Sequence, residues 1–303
     1  IHLLDCPGSV RLTKDGDFLG PFERGVFMSA LDSLEAAVRR AAKVPKYGFH
    51  TGFTSISDAL SRGSGGFSRK LMFHKTGTAG VVAVTSSLHK VGTTPIAGVA
   101  AAAAPGGTAF VDSDTGGFTF DNPAAGSYRL TGANVSASVL GNSLLLYDRT
   151  FGVLKAMAST ATQAVTGVPT RYQSTTATNE DYIGGNFGFV EVGLTALAAT
   201  AHNWTVCTYL DQANAASTMP SLVGNSAAIV HRLDHPVGQW FAPLEAGDTG
   251  IKAWTQMQCS ASVATGLINF VIGHPIGFMS MPLANTVFPF DWLTNIDQAP
   301  RIF

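Results

Sequence analysis

Residues 244–250 read LEAGDTG and run straight into IKAWTQMQCSASV at 251–263. Two acids and two glycines in so short a space admit two readings: Glu245 and Asp248 as an acid/base pair, or a turn that opens a strand. The residues after Asp248 favour the turn. Ile251, Ala253, Thr255, Met257, Cys259, Ala261 and Val263 take alternate positions, with Lys252, Gln256, Gln258, Ser260 and Ser262 between them. That period of two marks a strand with one buried and one wet face, and Trp254 alone breaks it. Asp bonds its own backbone in turns, and Gly247 and Gly250 supply torsions that other residues resist. Acid/base chemistry would need a base, nucleophile or metal ligand close by, and the window holds none.

The same texture extends on both sides. LMFH from Leu71, GVVAVTSSLHKV, GGTAFVDS, GGFTFD, SYRLTG and ANVSASVLGNSLLLYD are short β-prone runs divided by Gly, Pro and Asn. GFVEVGLTAL, NWTVCTYLD, SAAIVHRL and GLINFVIG continue the pattern, while ASTATQAVTG (158–167) reads as loop or edge strand. Many short strands with such punctuation predict a sandwich or barrel rather than alternating βαβ units. The tail, PLANTVFPFDWLTNIDQAPRIF, is aromatic and proline-rich, and packs on its own domain or on a neighbour.

The start differs. Residues 1–25 carry turn signals at Pro7-Gly8, Asp15-Gly16 and Gly20-Pro21. A helix is predicted over 29–44, with Ser29 as cap, Asp32 in capping-box position, an apolar stripe through Leu31, Leu34 and Val38, and Pro45 as stop. A second, short helix is expected at 55–62, ended by GSGG.

Charged residues make up 13% of the 303, against about 25% in ordinary soluble domains. A surface so poor in charge suits a subunit covered by other chains. The net charge of −1 is unevenly spread: residues 1–75 hold 11 Lys/Arg and 7 Asp/Glu, the rest 8 and 13. Cys6, Cys207 and Cys259 are far apart and show no metal spacing. No signal-peptide pattern is seen, and the apolar stretch at 98–107 is too short to span a bilayer and is broken by Pro105.

Each motif with possible chemistry has a plainer reading. His231 and His235 in HRLDH could share a helix face and a metal, but SAAIV before them is strand-like and Pro236 comes directly after. DSDTGG (112–117) opens like a calcium loop, yet the twelfth position is Pro123, so a hairpin turn is expected. GSGG (63–66) and IGGNFG (183–188) lack the context of phosphate loops and read as linker or bulge. There is no GxSxG elbow. Arg39, Arg40, Lys43, Lys46, Arg69, Lys70 and Lys75 come nearest to a nucleic-acid stripe, but the helix among them reads as structural. Trp240, Trp254 and Trp292 could stack on sugars.

The second half resembles virion structural proteins of tailed bacteriophages. The resemblance is carried by LLLYDRTFGV (144–153), TQAVTGVPTRY (162–172), GGNFGFVEVG (184–193), FAPLEAGDTGIKAWTQMQCSASVATGLINFVI (241–272) and FPFDWLTNIDQAPRI (288–302). It implies a β-rich particle component and transfers no catalytic residue. The expected fold is mainly β: antiparallel β-sandwich or jelly-roll-like units with a short helical N-terminal region. The expected divisions are 1–75, an arm that contacts shell or partner; 76–157, a first β-rich unit; and 158–303, a second with the tail. The expected role is a decoration or cement protein on the head, without catalytic residues, metal or cofactor. Its partners would be copies of itself and the major capsid or other virion proteins, with no sequence-specific nucleic acid and no membrane. A tail, baseplate or carbohydrate-receptor protein is the alternative; the lack of a long spine helix disfavours the major shell protein.

Overall fold

The computed structural model describes residues 11–12, 18–19, 71–76, 83–118, 128–129, 132–179, 181–291 and 301–302. The helices expected at 29–44 and 55–62, GSGG, Trp292 and the basic residues Arg39 to Lys70 lie outside these. The chain divides into two compact units, Ile1–Ser68 and Arg69–Phe303. In the first, β1 (Arg11–Leu12) pairs antiparallel with β2 (Phe18–Leu19), on either side of the Asp15-Gly16 signal.

The second unit is mainly strand. In chain order come β3 (His74–Lys75), β4 (Thr93–Thr94), β5 (Thr108–Ala109), β6 (Tyr128–Arg129), β7 (Gly132–Val135) and β8 (Asn142–Ala156). Next are β9 (Gln163–Ala164), β10 (Phe187–Thr195), β11 (Asn203–Trp204), β12 (Thr208–Asp211), β13 (Ala216–Thr218) and β14 (Leu222–Val223). The last are β15 (Ile251–Met257), β16 (Leu267–Met281), β17 (Phe288–Asp291) and β18 (Arg301–Ile302). Two four-stranded antiparallel sheets dominate, ordered β10-β16-β8-β5 and β13-β12-β15-β9. The short β9 sits at an edge, as ASTATQAVTG suggested.

β8 and β16 are the spine. They pair from Ala156 opposite Leu267 to Asn142 opposite Met281. The stretches 76–157 and 158–303 therefore share one sheet, and the chain's own division falls at Ser68/Arg69. One core joins residues of both sheets: Val153, Val190, Val192, Ile268, Phe270 and Ile272 with Tyr209, Ile251, Trp254 and Met257. Trp254 meets Phe270 edge-on, ring centres 5.2 Å apart. Burying such aromatic and branched side chains contributes about 1.5–3 kcal/mol each.

The alternation read in 251–263 is real but interrupted. Tyr209 faces Trp254 and Thr208 faces Gln256; Leu210 faces Ala253 and Asp211 faces Ile251. Each shift leaves one residue of β15, Thr255 and then Lys252, with none opposite in β12. Such bulges add one residue to a strand and turn its side chains. Ile251, Trp254 and Met257 consequently all point into the core. Trp254 is 1% exposed, so neither a sugar nor a sister subunit can stack on it.

Three other runs depart from their expected form. SAAIVHRL is a series of turns, because Ala227 and His231 take positive φ and break the extended chain; only Arg232 and Leu233 bridge, to Ser86 and Glu191. In GVVAVTSSLHKV, Leu88–Lys90 forms a 3₁₀ turn. IGGNFG is neither linker nor bulge: Ile183–Gly185 is a 3₁₀ turn, and a Cβ on Gly188 would stand 2.5 Å from the Trp254 ring.

Gly247 has φ +100, the left-handed torsion its turn requires. Gly250 serves another purpose. A Cβ there would stand 1.9 Å from the Ile183 carbonyl oxygen, so the chains touch only because no side chain intervenes. Gly250→Ala is expected to lower stability by about 3 kcal/mol, because backbone rather than a side-chain tip must move. Denaturant unfolding of the variant beside Gly117→Ala, a control where an added Cβ meets nothing, checks this.

Candidate functional site

The single charges placed inside apolar strands are the first candidates. Arg149 comes from β8 and Glu191 from β10, both against the central β16. Arg149 Nη2 donates to Glu191 Oε1 at 2.6 Å and Nη1 to Oε2 at 3.2 Å, a two-toothed pair. Asn269 Nδ2, from β16 between them, donates to Glu191 Oε1 at 2.9 Å. The Arg149 guanidinium also lies 4.7 Å from the centre of the Phe110 ring. Burial alone would raise the Glu191 carboxyl, but the Arg149 charge and hydrogen bonds hold it at about 2. His89, close by, is pushed down to about 3 by burial and by Arg149.

The second cluster centres on Asp234, wholly buried. His202 Nε2 and Trp204 Nε1 each donate to Oδ2 at 2.9 Å, and the Asn225 N–H donates to Oδ1 at 2.6 Å. His202 Nδ1 faces the Thr200 carbonyl at 2.9 Å. An acceptor at each ring nitrogen favours the doubly protonated imidazole. Burial works against that charge, but the Asp234 bond and charge outweigh it and raise the His202 value above 6.5.

A third pair, Arg171 with Asp148, ties the loop after β9 to β8; the guanidinium also reaches the Phe110 carbonyl at 2.5 Å. The Lys155 side chain lies in the interior, where Nζ donates to the Ser159 carbonyl at 2.8 Å. Cys207 and Cys259 are free, buried thiols, as their strand-like runs suggested. Burial pushes Cys207 up to about 12, which makes it a poor nucleophile.

The residues singled out in the sequence occupy separate places. Asp248 N–H donates to the Glu245 carbonyl at 3.1 Å, closing the turn. Glu245 Oε2 accepts the Thr218 N–H at 2.9 Å, and Asp248 Oδ2 accepts the Tyr209 hydroxyl at 2.6 Å. The two acids therefore brace corners of the sheet. His231 and His235 are not on a helix. His235 Nε2 accepts the Val190 N–H at 2.9 Å and burial lowers it to about 4. In DSDTGG, Asp114 Oδ2 accepts the Val111 N–H at 2.8 Å, a turn contact. Lys75 donates to the Val91 and Pro95 carbonyls. Among the described residues no group of three His, Cys, Asp or Glu is placed to hold a metal ion.

Both clusters are closed. Their acceptors are occupied by protein donors, and the hollow beside them, lined by Asn225, Leu233, His235 and Gln239, has a volume of about 10 Å³, about one water molecule's worth. The arrangement can hold strands in register and store proton-linked stability. His202 contributes stability below 6.5 that is lost as pH rises through its higher folded value. Buried, neutral His89, His235 and His274, at about 3, 4 and 4, act oppositely: their contribution is lost as pH falls from 6.5. The urea midpoint is therefore expected to peak near pH 6.5 and fall on both sides. His202→Gln should flatten the alkaline limb and leave the acid limb unchanged.

Neither cluster is evident from sequence, although one signal exists: a lone acid in GFVEVG and a lone arginine in LLLYDRTFGV must find partners when those strands are buried. No family model, curated protein or solved structure matches this chain.

Proposed function

We propose that this chain is a structural component of a tailed-phage particle: a decoration or cement protein that binds the head shell and associates with its own copies. The observation that carries the reading is the character of its outer face. Met72, Ile96, Leu140, Leu194, Val237 and Leu283 all stand more than half exposed on a chain only 13% charged. Apolar side chains spread over a charge-poor surface suit a subunit covered by neighbours. The resemblance of residues 144–303 to virion structural proteins supports the same role. In this reading the two main sheets form an antiparallel sandwich of jelly-roll kind, the virion is the place of action, and no catalysis is involved.

The surplus of positive charge in residues 1–75 suggests which part grips the shell, with the more negative remainder facing outward. Removing residues 1–50 is expected to abolish co-sedimentation with purified shells; undiminished attachment would refute this arrangement. The tail or receptor-binding reading retains one favourable feature, the exposed Phe241 beside half-buried Trp240. Glycan binding lost on Trp240→Ala would promote it.

A further inference from the structure

Beyond Tyr147 and His274 the two spine strands leave the main core and build a lobe of their own. β7 and β17 pair with each other, Val135 opposite Phe288. They pack with the distal halves of β8 and β16 around Val135, Met279 and Met281. The two connecting loops meet at its tip, where Gly141 N–H donates to the Pro282 carbonyl at 3.3 Å and Asn285 N–H to the Ala137 carbonyl at 2.7 Å.

The lobe consists of residues 132–147 and 275–290, and these contain no Asp, Glu, Lys, Arg or His. At ordinary composition two such 16-residue stretches would carry about eight charges. Yet the lobe is not hidden: Val139, Leu140, Phe278, Leu283 and Val287 are 53–71% exposed. Phe278 extends the apolar surface toward Trp240, ring centres 5.6 Å apart.

We infer that two copies of this chain join through this uncharged lobe. The inference rests on the self-association in the proposed function and assigns it a surface. The charge pattern selects the occupant. A nucleic acid, a charged peptide or a charged patch of another protein would have to shed hydration against a face that offers no counter-charge. A neutral, apolar partner avoids that loss, and among the described residues the lobe is itself such a surface, so a second copy supplies the match. Contact about a two-fold axis then matches each face with itself. Among the described residues β5 covers β8 only at Phe151 and Gly152, and β10 leaves β16 beyond Gly273. Strand edges thus accompany the apolar side chains as further contact.

The test is sedimentation velocity on the full chain and on Leu140→Asp/Leu283→Asp, whose like charges repel across a two-fold, both at about 1–100 µM. Both side chains are exposed, so the fold should survive, which an unchanged melting temperature verifies. Wild type is expected to self-associate with concentration, and the double variant to associate about 30-fold more weakly or worse. Variant association equal to wild type would overturn the lobe assignment and leave self-association standing. A wild type that stays monomeric throughout would overturn both, while shell co-sedimentation, read separately, would still decide particle binding. Flotation of wild type with neutral phosphatidylcholine vesicles, lost in the variant, would assign the lobe to a bilayer and overturn the inference.

Discussion

Glu191→Ala is expected to destabilise the 69–303 unit by about 3–5 kcal/mol, a fall in melting temperature of about 10 °C. The alanine leaves Arg149 charged and dry, and Asn269 loses an acceptor at the same time. Surface ion pairs contribute little, but this one is buried, with Glu191 wholly enclosed, so removing one partner strands the other. Two companions separate the causes. Glu191→Gln retains an acceptor but not the charge and should fall between wild type and alanine. Arg149→Met/Glu191→Leu removes both charges and should recover most of the loss, because a buried pair is replaceable by apolar volume. The pair also sets acid resistance. The Glu191 carboxyl, at about 2, lies below its ordinary 4.5, so its contribution is complete above pH 4.5 and disappears as pH falls through 2. Unfolding followed by denaturant at each pH should show an acid limb that shallows in the double variant.

Asp234→Ala should produce a loss of similar size, about 3–5 kcal/mol, for a different reason. Three donors converge on this carboxylate, and each buried donor left without an acceptor costs about 1–3 kcal/mol. His202 can escape part of that cost by releasing a proton; the Trp204 indole and the Asn225 amide cannot. The variant should therefore also lose the alkaline fall in stability assigned to His202. Asp234→Asn should recover some stability and none of the pH dependence. A wild-type slope persisting in Asp234→Asn would mean that another group titrates there.

How much of this is legible in the sequence depends on distance along the chain. LEAGDTG announces its turn because Asp248, Gly247 and the alternation after Gly250 lie within a few residues of each other. The same alternation cannot announce the bulges that bring Trp254 inward, since β12 fixes its register from some forty residues upstream. Gly250 reads as a torsion residue and proves to be a contact residue, because Ile183 presses on it from another segment. SAAIVHRL has strand-like composition but lacks the torsions of a strand: its partners, Ser86 and Glu191, are met one residue at a time. The charged clusters are hidden for the same reason. Arg149 and Glu191 stand 42 residues apart, and His202 and Asp234 stand 32 apart. Their strands are visible in the sequence, whereas the sheet order that joins them is not. The uncharged stretches 132–147 and 275–290 are likewise present in the sequence, but only the pairing of β8 with β16 reveals them as one surface.

In the proposed role the chain acts by touching neighbours, while the described buried charges hold strands together. Counting copies in purified particles, by quantitative mass spectrometry against the shell protein, tests it most directly. Hundreds of copies per head, removed together by deletion of residues 1–50, is the predicted result. Particles that lack the chain, while the isolated protein turns over a substrate as a monomer, would contradict it.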